Sequence, residues 1–360
     1  MPRRREVLAT LFAIGAAPRL GWADAGRPAY LAAAQDRAGR SLVCGLRADG
    51  AIGFAHPLPD RGHAAAAHPS RPEAVVFARR PGTFARVIDC ATGNPIAALT
   101  TPEGRHFYGH GVFSQDGSLL FTTENAYDSA TGLVGIWNAA QQYRRLGEIL
   151  SGGIGPHEIR RLPGKGTLAV ANGGIETHPE TGRAKLNIPF MRPNLSYLDP
   201  SGRLIERVAP PEAWHKNSMR HIDVRRDGLV AIACQWQGDA AATPPILATH
   251  RLGAALQFHP AGNGGERRIE GYAGSVAFAG DGQSIAITGP RGGRALRFDA
   301  GGRLLEAFGA ADICGVAAAP AQEGHLYTTG EGLVLRAEDG THTPLARHDL
   351  RWDNHLVRIA

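Results

Sequence analysis

Short apolar runs separated by tight turns recur along this chain, and few stretches carry the three-to-four-residue apolar spacing of a helix. The clearest unit reads Val112-Phe113-Ser114, then Asp116-Gly117, then Leu119-Leu120-Phe121-Thr122-Thr123. Ile222-Asp223-Val224, Asp227-Gly228 and Leu229-Val230-Ala231-Ile232 repeat it, as do Val276-Ala277-Phe278, Asp281-Gly282 and Ser284-Ile285-Ala286-Ile287. Asp-Gly between alternating apolar runs signals a hairpin, since the turn needs residues that tolerate positive φ. A second pair of runs follows in most units, as at Val87-Ile88-Asp89 before Thr92-Gly93 and Leu296-Arg297-Phe298-Asp299 before Gly301-Gly302. Four strands per unit are therefore expected.

One position recurs at the start of each unit's first strand. His63, His110, His157, His221 and His355 hold it in five units, Ser275 and Cys314 in the other two. Intervals of 39 to 64 residues separate them, the range of four-stranded propeller blades with loops of varying length. Seven such positions predict an all-β protein, a seven-bladed β-propeller. Tyr30 to Ala34 and Ser41 to Leu46 read as later strands of the first blade, and His355 to Ile359 supplies its missing inner strand. Strands from both termini then close the ring and leave no edge exposed. The 47 glycines and 24 prolines suit many short strands and turns. No linker divides residues 26–360, which read as one propeller domain.

Residues 1–25 read as an export leader: Arg3-Arg4-Arg5, an apolar run from Val7 to Ala17, and Ala23-Asp24-Ala25 as a small-x-small cleavage site. Arg4-Arg5-Glu6-Val7-Leu8 resembles a twin-arginine signal, which predicts a periplasmic protein exported already folded. The run is too short to span a bilayer, and no later segment is apolar enough. The chain carries +6, and the leader holds four arginines against Glu6 and Asp24, which leaves +4 on the remainder. That mild, scattered charge argues against a nucleic-acid partner. Cys44, Cys90, Cys234 and Cys314 lie far apart with no Cys-x-x-Cys pair, so structural zinc and haem c attachment are not indicated. Cys44 and Cys90 fall on adjacent units, and a disulfide between them stays open.

If the first strands line the axis, their recurrent side chains surround one channel. Imidazole with thiolate is a transition-metal ligand set. A single Gly-His near a blade start serves a hydrogen-bond network in propellers of the WD type. Five at the axis end of the inner strand are different, because packed neutral imidazoles each need a partner and a cation supplies one. The expected ligands are His63, His110, His157, His221, His355 and Cys314, and the expected guest is a transition metal, copper by the general preference of histidine-rich sites. His68, His250, His259 and His348 fall outside the register. The alternative is a metal-free scaffold whose face docks a partner protein. Loops after the second strands surround the same opening, which places Glu124, Asn172, Glu176, His178, Gln235 and Arg291 at the channel mouth, together with Ser275 from the ring position. Strand alternation turns Glu158 and Arg220 away from the ring. There is no nucleophile elbow, phosphate loop or His-Glu-x-x-His helix, and no catalytic role is assigned.

Several strings carry a resemblance: Gly109-His110-Gly111-Val112-Phe113-Ser114, Gly155-Pro156-His157-Glu158, Ala171-Asn172-Gly173-Gly174-Ile175-Glu176-Thr177-His178-Pro179, Arg220-His221, Gly274-Ser275-Val276 and Trp352-Asp353-Asn354-His355. Together they resemble the bacterial domain of unknown function 1513 family over nearly the whole mature chain. The resemblance implies an exported propeller, often encoded near imelysin-type iron-uptake proteins and dihaem peroxidase-like proteins, which makes these the expected partners and makes the expected metal iron or copper. It implies no activity. A looser similarity, of architecture alone, is to the nitrous oxide reductase propeller with its histidine-held copper cluster.

Overall fold

The computed structural model describes residues 20–359 apart from 80–81, 165, 183, 263 and 321–322. Its strands form seven four-stranded antiparallel sheets, the seven blades of a β-propeller. The inner strands, in blade order, are Leu350–Arg358, Gly62–Ala67, Arg105–Phe113, Pro156–Arg161, Asn217–Val224, Ser275–Phe278 and Ile313–Ala318. Blade 1 runs Leu350–Arg358, Tyr30–Asp36, Ser41–Leu46, Ile52–Pro57, so the last strand of the chain pairs with its first. This is the expected closure. Among the described residues no helix is long and apolar enough to cross a membrane.

The hairpins form where the turn chemistry placed them. Gly117 sits at φ +73°, and Asp116 accepts bonds from the Ser118 amide and the Ser114 hydroxyl, tying the turn between the first two strands of blade 3. Packing then joins blade to blade. Val75, Phe77 and Val87 of blade 2 meet Phe107, Leu120 and Trp137 of blade 3 in one buried cluster. A larger cluster unites blades 4 to 6 through Tyr197, Ile232, Leu247 and Phe298. Each buried aromatic or aliphatic side chain contributes about 1.5–3 kcal/mol, so a blade is stable only against its neighbours.

The expected leader lies largely outside the described residues. Its last residues, 20–25, do not stand clear of the domain: Ala25 is buried, and Trp22 donates from Nε1 to the His68 carbonyl at 3.0 Å. The open disulfide resolves the other way. Cys44 and Cys90 are both free thiols buried in separate apolar clusters, and burial pushes each up to about 12.

A candidate metal centre on the propeller axis

The ring position is a β-bulge. Pairing skips a residue between Pro156 and Glu158, between Met219 and His221, and over the stretches holding His63, His110, Cys314 and His355. Only the Ser275 blade pairs without interruption there. A bulge re-aims side chains that strict alternation would send elsewhere, and here it brings imidazoles together at the axis. Gly109 and Gly111 serve the same end. Gly109 has φ +106°, and a Cβ on it would lie 2.7 Å from the His63 ring. A Cβ on Gly111 would lie 2.8 Å from the Phe77 ring. Gly-His-Gly is thus the motif that lets neighbouring rings close over His110.

Five imidazoles form a closed circuit. Ring centroids are 5.1 Å apart for His63 and His110, 5.4 Å for His110 and His157, 4.6 Å for His157 and His221, 4.7 Å for His221 and His355, and 4.5 Å for His355 and His63. Two trios, His63–His110–His355 and His110–His157–His221, bring their ligand atoms within 4.8 Å of one another. Two nitrogens on one ion at about 2.1 Å lie at most about 4.2 Å apart, so a slight contraction of either trio would seat one. His110 belongs to both. Its Nε2, His157 Nδ1 and His355 Nε2 are buried with no hydrogen-bond partner. Such orphaned nitrogens cost about 1–3 kcal/mol each and are the donor atoms a metal needs.

Two carboxylates stand behind the ring. Glu158 Oε2 lies 3.1 Å from His221 Nδ1 and also accepts from the Ile222 amide, and Glu158 Oε1 is 3.8 Å from His110 Nδ1. Asp353 Oδ1 lies 3.5 Å from His63 Nδ1. Carboxylates in this place fix tautomer and ring orientation, leaving Nε2 to face inward. Arginines hold both acids in turn: Arg160 reaches Glu158 at 2.7 Å, and Arg79 and Arg61 reach Asp353 at 2.7 and 2.8 Å. Burial alone would raise the Asp353 carboxyl. The bond to His63 and the charges of His63, Arg79 and Arg61 outweigh it and hold the group well below the usual carboxylate range. Burial, then the neighbouring imidazoles and arginines, depresses His110, His157 and His221 well below 6.5, and burial with His63 and His221 does the same to His355. The four are kept neutral, the state in which imidazole binds metal.

The other expected site residues divide. Cys314 does not join the ring: its thiol points at the carbonyls of Thr328, Trp352 and Asp353 at 3.4–3.5 Å, within an apolar cluster, and burial raises it to about 12. A thiol so held is a packing group. Ser275 lines a narrow cavity with His110, His355, Glu158 and Arg160 and is absent from the mouth. The mouth is a chamber lined by His63, His157, His221, Gln235, Arg291 and others, so Gln235 and Arg291 stand where the loops predict.

Four mouth residues are placed elsewhere. Glu124 is fully buried inside blade 3, where Arg145 meets its two oxygens at 2.7 and 2.9 Å and Thr122 donates to it. Asn172 is locked by Ser151, Asn194 and Ser196. Along the loop, Ile175 and Thr177 line the chamber, while Glu176 between them does not. His178 pairs with Asp128 at 3.2 Å and caps the turn at Glu180. For Glu124, Asn172 and His178 a partner elsewhere in the fold captured the polar side chain. Conversely Glu158, expected to face away, is the ring's main orienting group because the bulge at His157 reset the register. Asp353, Arg79, Tyr108 and Lys185 also adjoin the site and carried no signal of their own, since their partners are distant in sequence.

No curated protein matches the chain. Among solved structures, hydrazine synthase of Kuenenia stuttgartiensis is similar in fold, with a TM-score of 0.59 at 13% identity over 86% of this chain and 89% of that one. The family model described as "Protein of unknown function (DUF1513)" matches residues 56–359, from the outer strand of blade 1 round to its inner strand and across every ring position. The chain belongs to that family.

Proposed function

We propose that the axial imidazoles bind one transition-metal ion, iron or copper, and that the protein acts in the periplasm in metal acquisition or redox handling. One observation carries this reading: three ring nitrogens are buried and orphaned, within trios whose other members are oriented from behind by Glu158 and Asp353. Neutral imidazole suits both metals, and geometry and supply decide between them. The family's association with imelysin-type and dihaem proteins makes these the proposed partners, and the expected twin-arginine leader supports the compartment. Bound metal would receive nitrogen from His110 and two neighbours, while Cys314 contributes no sulfur. X-ray absorption at the edge of the bound metal tests this. The reading expects imidazole scattering with nitrogen at about 2.0–2.1 Å, and a shell of oxygen or sulfur alone would contradict it.

A further inference from the structure

The chamber over the ring is cationic. Arg79, Lys185, Arg220 and Arg291 line it, and among the described residues no carboxylate does. Arg79 is engaged with Asp353, and the other three line the same space. Each is held in place. Lys185 Nζ donates to Gln237 Oε1 at 2.5 Å, Arg291 lies 4.2 Å over the Tyr272 ring, and Arg220 Nε donates to Ser218 Oγ at 3.0 Å. Neutral donors complete the wall in Gln235, Gln237 and Asn354. A concave site of one sign concentrates counter-ions of the other, and guanidinium groups match carboxylate and phosphate oxygens in pairs.

Size narrows the class. The chamber offers about 120 Å³, well under the roughly 300–1,000 Å³ of sites for drug-sized ligands and cofactors. We propose that it binds a small dianion, a dicarboxylate or a tetrahedral oxyanion, held by Lys185, Arg220 and Arg291 above the imidazole ring. His63, His157 and His221 line the chamber, so the anion sits on the side from which the ring is reached. The binding does not depend on metal.

Isothermal titration calorimetry on the full mature protein, stripped of metal, tests the proposal with malonate, phosphate and neutral malonamide. One or both dianions should bind and malonamide should not, and the dianion that binds identifies the source. The exposed pair Lys185→Gln/Arg291→Gln should weaken binding about tenfold with unchanged Tm. Gln237→Glu, which sets a carboxylate against Lys185, should weaken it independently. Equal heats from malonamide and the dianions, or unaltered affinity in both variants, would overturn the proposal. Metal uptake is measured on the same samples. Anion binding without metal uptake leaves this inference standing and removes the reading of the ring, whereas metal uptake without anion binding overturns this inference alone.

Discussion

Two sets of histidines sit in this propeller, and they differ in the partners their ring nitrogens meet. His68 of blade 2 reaches the Gly117 carbonyl of blade 3, His250 of blade 5 bonds both Tyr197 of blade 4 and the Ala254 carbonyl, and His348 of blade 7 reaches the Gly50 carbonyl of blade 1. These rings join blade to blade and find their partners within the protein. On the axis, by contrast, His110, His157 and His355 each keep an unpartnered nitrogen. Burial lowers His68 and His250 as it lowers the ring members, so depressed basicity does not separate the sets. Unmet bonding capacity separates these three from His68 and His250, and convergence of several rings separates them from His325, a blade-joining histidine whose Nδ1 is also buried and unpartnered.

Removing His110 should have the largest effect, because it belongs to both trios. His110→Ala, and more surely His110→Ala/His221→Ala, should abolish stoichiometric metal while circular dichroism shows the fold retained, since the blades are built from apolar contacts away from the axis. Full metal content in the double variant would erase the distinction between the sets. Asp353→Asn comes next. Loss of the carboxylate behind His63 should weaken metal about 10–100-fold, and an unchanged affinity in competition with a chelator would make Asp353 a partner of Arg61 and Arg79 alone.

Acid should expose the ring from another direction. His110, His157, His221 and His355 have folded values below those of the unfolded chain. Between the two values the unfolded chain binds more protons. The stability of the metal-free protein is therefore full above about pH 6.5 and falls as pH drops below it, by at most about 1.4 kcal/mol per pH unit for each histidine. Denaturant unfolding from pH 7.5 to 5 should show this slope, flatter in His110→Ala/His221→Ala; equal slopes would mean that the ring does not titrate as a buried neutral group. Protons should also compete with metal only well below the pH 6 expected of free imidazole.

Smaller effects lie outside the ring. His68→Ala or His250→Ala breaks a joint between blades and should cost about 1–3 kcal/mol with metal content untouched. Metal loss in either would show that the outer set supports the site. Cys314→Ser should change metal content not at all, because the thiol already faces three carbonyls.

The fold was legible because its signals are local. Asp116-Gly117 and Asp227-Gly228 state a turn whatever surrounds them, and the leftover strand His355–Ile359 had one vacancy to fill. The shared position of five histidines was legible for the same reason, as a register repeated blade by blade. Register alone misled at Cys314, where the same position turns toward the strand of blade 1, and at Glu158, where one bulged residue reversed the expected side. Glu124 and Asn172 were invisible as core groups because Arg145 and Ser151, which capture them, lie about 21 residues along the chain.

The central claim is that the axis holds a metal, and the elemental content of protein exported and purified from its native host tests it most directly. The account predicts at least about one equivalent of iron or copper per chain, lost with His110→Ala. Well under one equivalent, persisting after anaerobic reconstitution with either metal, would contradict it and leave the five imidazoles as a polar lining of the channel.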